Sequence, residues 1–300
     1  MSLDRIAIAC LLVFSASAFG DRASAGSPDT IRVLIIDGQH NHKWRETTPF
    51  LKQQLEKSGR FRVDVSSNLK PNDKSGDVPT VPFPPDLTKY DVAISNYNGA
   101  AWPQEFRISF EERVRDGKLG FVLFHAANNC FSDWPEFNRM VGLAWRSPKF
   151  GDRLYYDDKG KLIRVPKGEG GGTSETTHPY AIVLRDMDHP ISKGMPPEWM
   201  HAKDQLMFNL RGPAERVHVL ATSLCPKTQV HEPTLWTVEF GKGRIVQTPM
   251  GHDVFAMRCV GFITTMQRGV EWAATGKVRL PIPENFPSRA KPSQISEQKK

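Results

Sequence analysis

Cysteine is scarce in this chain: four in 300 residues, at Cys10, Cys130, Cys225 and Cys259. Such a scattered set excludes a disulfide framework and a cysteine-rich zinc module, although one pair among Cys130, Cys225 and Cys259 could close in an oxidising compartment. Beyond the first 25 residues no apolar run approaches the ~20 residues of a membrane span. HExxH, Walker and GxGxxG spacings are missing, so the Gly-rich stretch from Gly168 to Gly172 reads as a lid or surface linker rather than a phosphate cradle. There are no internal repeats. The net charge of +7 and pI of 9.2 are spread along the whole chain, without a basic helix, zinc finger or RNA-binding signature. That excess reads as a solvated surface, and no nucleic-acid partner is expected.

What is present begins with a leader-like segment. Arg5 precedes an apolar run from Ile6 to Phe19 and then Ala23-Ser24-Ala25, an A-x-A site. Residues 1–25 therefore read as a cleavable secretory signal, removing Cys10 and leaving a secreted or periplasmic protein with no membrane insertion. A retained anchor is the alternative. A domain over 26–280 and a disordered Pro-, Ser- and Lys-rich tail over 281–300 complete the division.

Within the domain, Ile31–Asp37, Phe61–Val65, Asp91–Ser95 and Gly120–Phe124 are short apolar runs suited to strands covered on both faces. Helical spacing follows Thr47 up to Gly59 and again from Gln104 to Arg115. This alternation predicts an α/β fold with a doubly wound, mostly parallel sheet. A loop over 68–88, a hairpin turning at Asp158-Lys159-Gly160, strands at 180–184, 205–210 and 217–224, a hairpin around Gly241-Lys242-Gly243 and a closing helix over 260–275 fill the remainder.

Four histidines fall where strands should end: His40 and His42 after the first run, His125 after the fourth, and His252 after RIVQTPMG. In open α/β sheets the carboxyl ends of the strands converge on one crevice, so three distant segments are expected to deliver imidazoles to one pocket. His125 and His252 are candidates for proton transfer, with Asp253 beside His252 and Asp204 nearby in the catalytic set. His40 and His42 would position substrate or, with the other two, hold a divalent metal such as zinc, for which three nitrogen ligands and an open position are the catalytic pattern. Without a metal, the same rings would simply line a polar cleft. Trp44, Tyr97, Trp102 and Trp134 could stack on a sugar ring, while Asn96, Asn98, Asn128 and Asn129 could bind vicinal hydroxyls. His201 joins the substrate-binding set; His189 and His231 read as structural.

Several motifs, in order, carry a resemblance: GQHNHKW, YDVAISNYNG, FVLFHAANN, DHPI, MHAKDQL, HEPTLWTVEFGKGRIVQTPMGHD and GVEWAATG. Together they resemble the trehalose-utilisation (ThuA-like) family from about Ile31 to Pro287. The resemblance implies a flavodoxin-like fold, similar to class I glutamine amidotransferases, and a role in carbohydrate utilisation. The amidotransferase turn that carries a nucleophilic cysteine between glycines corresponds here to His125-Ala126-Ala127, with Cys130 several residues late, which argues against thiol-dependent glutaminase chemistry. His252 is similar in position to the amidotransferase histidine. Asp204 matches a family Asp-Glu pair whose glutamate is replaced by Gln205, which speaks against a paired-carboxylate mechanism. The expectation is an exported protein that binds and converts a disaccharide or keto-sugar derivative by histidine acid–base chemistry, as a hydrolase or isomerase. A non-catalytic carbohydrate-binding protein and a metal-dependent hydrolase stay open as alternatives, and association of identical chains is compatible with either.

Overall fold

The computed structural model describes residues 30–74, 78 and 81–296; the segment read as a signal peptide lies outside the described residues. The chain opens with β1 (Ile31–Gly38), α1 (Trp44–Lys57), β2 (Phe61–Asn68), β3 (Val92–Ser95), α2 (Gln104–Arg115), β4 (Gly120–Phe124) and α3 (Pro135–Val141). A hairpin of β5 (Arg153–Tyr156) and β6 (Leu162–Val165) follows, then β7 (Thr173–Ser174), β8 (His178–Leu184), β9 (Glu198–Asp204) and β10 (Met207–Phe208). The last third contains β11 (Val217–Leu224), β12 (His231–Phe240), β13 (Gly243–Thr248), α4 (Val254–Met257) and α5 (Val260–Thr275).

The main sheet runs β2-β1-β3-β4-β13-β12-β11-β8-β9. From β2 to β13 every pairing is parallel, and from β13 onward every pairing is antiparallel. In the parallel half, consecutive side chains point to opposite faces, and both faces are covered. Val33 and Ile35 pack on one side with Leu51 and Leu55 of α1 and with Phe262, Met266 and Val270 of α5. Leu34 and Ile36 pack on the other with Phe106 and Phe110 of α2 and Phe137 and Met140 of α3. This α/β architecture leaves the carboxyl ends of β1, β3, β4 and β13 along one rim.

Two segments differ from expectation. The run at 205–210 contributes only the two-residue β10, paired with β7, whereas MHAKD belongs to a full strand, β9. Its polar letters hid it, because alternate residues of β9 face the interior while the others face out. Residues 281–296 are not a free tail. The Met200 amide donates to the Ser288 carbonyl, the Val260 amide to Ser293 and the Ile295 amide to Arg258, while Phe286 packs on Trp199 with ring centroids 5.4 Å apart. Composition signals disorder only when nothing pairs with the backbone, and here the outer strand β9 and the start of α5 do so. Among the described residues no helix is long and apolar enough to cross a membrane, and Cys130, Cys225 and Cys259 are all free and buried.

Candidate functional site

Each imidazole is delivered by a turn at a strand's carboxyl end. β1 ends at Gly38, where φ is +122° and a Cβ would lie 2.3 Å from the Asn68 carbonyl oxygen; only glycine fits this close approach to β2. The next residues form a tight turn in which the His42 amide donates to His40 Nδ1 at 2.9 Å. β4 ends at Phe124, and His125 takes a left-handed conformation with φ +46°, an uncommon state for a residue other than glycine and one that concentrates at functional sites. After β13 the chain passes Pro249 and Met250 to Gly251, at φ +99° and packed on Phe262 and Phe124, which sets the direction of His252.

The three turns bring the rings together. Centroids lie 4.6 Å apart for His42 and His125, 4.8 Å for His42 and His252, and 5.2 Å for His125 and His252, all edge to face. One ring nitrogen from each of the three lies within 4.8 Å of those of the other two. His40 touches only this group's edge, 5.4 Å from His42, and its Nδ1 is occupied by the His42 amide. Its proton is therefore on Nε2, and its Nδ1 braces the turn as an acceptor, so it is not a fourth member of the cluster.

Hydrogen bonds fix the tautomers of His125 and His252. His125 Nδ1 lies 2.9 Å from the Pro249 carbonyl oxygen; a carbonyl can only accept, so Nδ1 carries the proton and Nε2 presents its lone pair. That Nε2 is buried and has no protein partner. His252 Nδ1 lies 3.3 Å from an Asp253 carboxylate oxygen, and the same reasoning leaves its Nε2 free. Burial, more than any neighbour, pulls His40 down to about 3 and both His42 and His125 down to about 4. His252 moves the other way: the Asp253 hydrogen bond raises it despite partial burial. At neutral pH His40, His42 and His125 are thus uncharged, and His252 is the ring disposed to carry a proton.

Asp204, at the end of β9, underlies this arrangement without facing solvent. One carboxylate oxygen accepts from the Gly251 amide at 2.7 Å and from His201 Nε2 at 2.9 Å; the other accepts from the His252 amide at 3.1 Å and the Gln205 amide at 2.7 Å. Burial would raise its pKa, but His201, His125 and the Gly251 amide hold it below the usual range. Burial likewise opposes charge on His201, yet the Asp204 hydrogen bond and the adjoining Cys259 lift it to about 9. His201 and Asp204 are fully buried, so they shape the 251–252 turn rather than meet a ligand. The carboxylate stands close enough to His42, His125 and His252 to raise the pKa of each.

Above the rings lies a cavity of about 570 Å³ lined by Asn41, His42, Lys43, Glu46, His252, Asp253, Val254 and Phe255. This is within the size range of small-molecule sites. The aromatic residues expected to line it do not: Trp44, Tyr97, Trp102 and Trp134 are all buried. The last three join Phe131, Phe106 and Phe110 in a cluster of packed rings on the α2–α3 side of the sheet, with Trp102 edge to face with Phe106, Phe110, Phe131 and Trp134, and Tyr97 stacked on Phe131. Asn96 is buried and donates to Thr47 and Thr48 at the start of α1. Asn128 accepts from the Trp145 amide, and the Asn129 carbonyl accepts from Arg146. These asparagines hold loops to one another. Asn98 alone reaches the crevice's edge, donating to Asn41 Oδ1 at 2.8 Å. The ring that does stand at the mouth is Phe255, 48% exposed. Its signal in the sequence was proximity to GHD, two residues after Asp253. Cys130 offers no nucleophile, since burial pushes its thiol up to about 12.

The family model described as trehalose utilisation, ThuA, matches residues 32–273. The crystal structure of a ThuA-like protein from Parabacteroides merdae is 39% identical, with a TM-score of 0.80, covering 89% of this chain and 98% of that one. A ThuA-like protein from Bacteroides uniformis shares the fold at 18% identity and a TM-score of 0.54, covering 84% of this chain and 95% of that one. No curated protein matches.

Proposed function

Because the chain belongs to the trehalose-utilisation (ThuA) family, we propose that the crevice above His42, His125 and His252 is the active site for a disaccharide or keto-sugar derivative. The observation that carries this reading is the convergence of three imidazoles, from segments spread over about 210 residues of the chain, beneath a cavity of about 570 Å³. Lone pairs at neutral rings accept a proton from a sugar hydroxyl or from a water that attacks a sugar carbon. His252, raised by Asp253, is the member best suited to return a proton. Phe255 gives an exposed apolar face for a pyranose ring, and Asn41, Lys43 and Glu46 surround it with hydrogen-bonding groups.

Export belongs to the same reading. It is supported by the run Ile6–Phe19 followed by Ala23-Ser24-Ala25, and a mature amino terminus near residue 26 in protein secreted by its host would bear it out. For the chemistry, turnover is measured against a panel of disaccharides and their keto derivatives. His252→Ala is expected to reduce kcat/KM at least ~100-fold, the ordinary contribution of a positioned proton-transfer group. Unchanged turnover in His252→Ala and in His42→Ala would remove the crevice from consideration as the reacting site.

A further inference from the structure

The ring nitrogens in this crevice have a property that proton transfer alone does not require: one from each of three histidines converges on the same point. We propose that His42, His125 and His252 form a binding site for one divalent transition-metal ion of the zinc class, with an open coordination position toward the cavity. This rests on the reading of the crevice as the working site and names what occupies its floor; with the ion bound, the three rings hold it and no longer exchange protons with substrate themselves.

Three observations support it. First, the donor atoms of the three rings lie within 4.8 Å of one another. Nitrogens bound at about 2.1 Å to a tetrahedral ion sit about 3.4 Å apart, so closure asks for shifts of about an ångström. His42, half-buried on the turn after β1, can supply them. Second, the rings are held from behind as metal-ligating imidazoles are: His125 Nδ1–H donates to the Pro249 carbonyl and His252 Nδ1–H to the Asp253 carboxylate. Such partners fix the tautomer that directs Nε2 at the ion. Third, His125 is 2% exposed and its Nε2 has no partner within the protein. A buried acceptor left without a partner is costly, and a cation seated among the three rings would satisfy it.

The donor chemistry narrows the ion. Three imidazoles with no thiolate and no free carboxylate in the set suit zinc, nickel, cobalt or copper rather than magnesium or calcium, which select oxygen. Asp204 is not a fourth ligand, because both of its oxygens already accept hydrogen bonds, but its charge lies against the cluster. His40 is likewise excluded by its tautomer, which leaves a three-ligand site with an open side, the arrangement of catalytic rather than structural zinc. When bound, the ion would act as a Lewis acid toward an oxygen of the carbohydrate or of water in the cavity.

The test uses the purified protein stripped with chelator, and titrates zinc by calorimetry and cobalt by visible absorption. One equivalent of zinc is expected, with the intense d–d bands of a near-tetrahedral cobalt site. His252→Ala and His42→Ala should each weaken binding by 100-fold or more, and Asp253→Asn by about 10–100-fold through loss of the hydrogen bond behind His252. His178→Ala, on a histidine outside the cluster, should leave it unchanged. His125→Ala is checked for folding by circular dichroism, and His125→Gln is a second variant at the same place. No stoichiometric binding in the wild-type protein, or equal binding in the His42 and His252 variants, overturns the metal site. Sugar turnover that survives complete metal removal while His252→Ala abolishes it would overturn a role for the ion in the reaction and leave the active-site reading standing. Zinc bound and lost as expected, with no carbohydrate turned over, would support the metal site and sink the substrate assignment.

Discussion

At the scale of single residues, Asp204 shows how a group can govern a site it does not enter. Its two oxygens gather two backbone amides of the Gly251–His252 turn and the His201 imidazolium. Asp204→Asn puts an amide donor against other donors and leaves His201 without its counter-charge. A loss of about 3–5 kcal/mol is expected, as for breaking a buried pair; urea denaturation of the variant measures it. Asp37, at the end of β1, behaves oppositely. Burial raises its carboxyl to about 6 even though the hydroxyls of Ser67 and Thr48 bind it. A folded-state pKa above the unfolded one means that the native chain binds the proton more tightly, so this group's stabilising contribution is full below about 4 and lost as pH rises through about 6. Asp37→Asn should therefore raise the melting temperature at pH 8 and have little effect at pH 4. A variant no more stable than the parent at pH 8 would show that the buried carboxylate costs the fold nothing.

At the scale of elements, the strand-end turns are the parts that the site cannot spare. Gly38→Ala would force a Cβ to within 2.3 Å of the Asn68 carbonyl at a φ of +122°. The expected result is a loss of about 1–3 kcal/mol together with displacement of the turn that carries His40 and His42. Chemical shifts of the His42 ring protons, compared with those of His252, would register that displacement. The short α4, capped by Asp253 through the Ala256 amide at 2.9 Å, holds Phe255 at the cavity mouth. Phe255→Ala removes an exposed ring and should leave stability within about 0.5 kcal/mol, while weakening carbohydrate binding about 5–10-fold by loss of stacking. Equal affinity in parent and variant, read by calorimetry, would exclude Phe255 from the binding face. The elements themselves were legible wherever the pattern was apolar: β1, β3 and β4 are short runs bounded by polar or Gly turns, and each is buried on both faces. β9 was not legible, because Glu198, Lys203 and Asp204 break its run, and Asp204 is buried for its hydrogen bonds rather than for hydrophobicity.

For the whole molecule, the buried His201–Asp204 pair ties the antiparallel half of the sheet to the crevice of the parallel half. Since His201 is raised to about 9, its contribution to stability is full below about 6.5 and lost as pH rises through about 9. Unfolding midpoints should fall between pH 7 and 10, and a His201→Gln variant should lose that slope. The convergence of His42, His125 and His252 could be read from the chain because strand order puts the carboxyl ends of β1, β4 and β13 on one rim whatever their side chains are. The four buried aromatics could not be assigned in the same way. Trp44, Tyr97, Trp102 and Trp134 occupy the same kind of position relative to strand ends as the histidines, and only the packing of α1, α2 and α3 turns them inward. The sequence alone determined the α/β class, the family and the strand ends that carry the imidazoles, since periodicity and local turn chemistry are properties of neighbours along the chain. Tertiary structure decided which polar groups meet: the exclusion of His40, the burial of Asp204 beneath His252, the seat of the 281–296 segment and the exposure of Phe255. These depend on contacts between residues tens to hundreds of positions apart, where no local pattern records the partner.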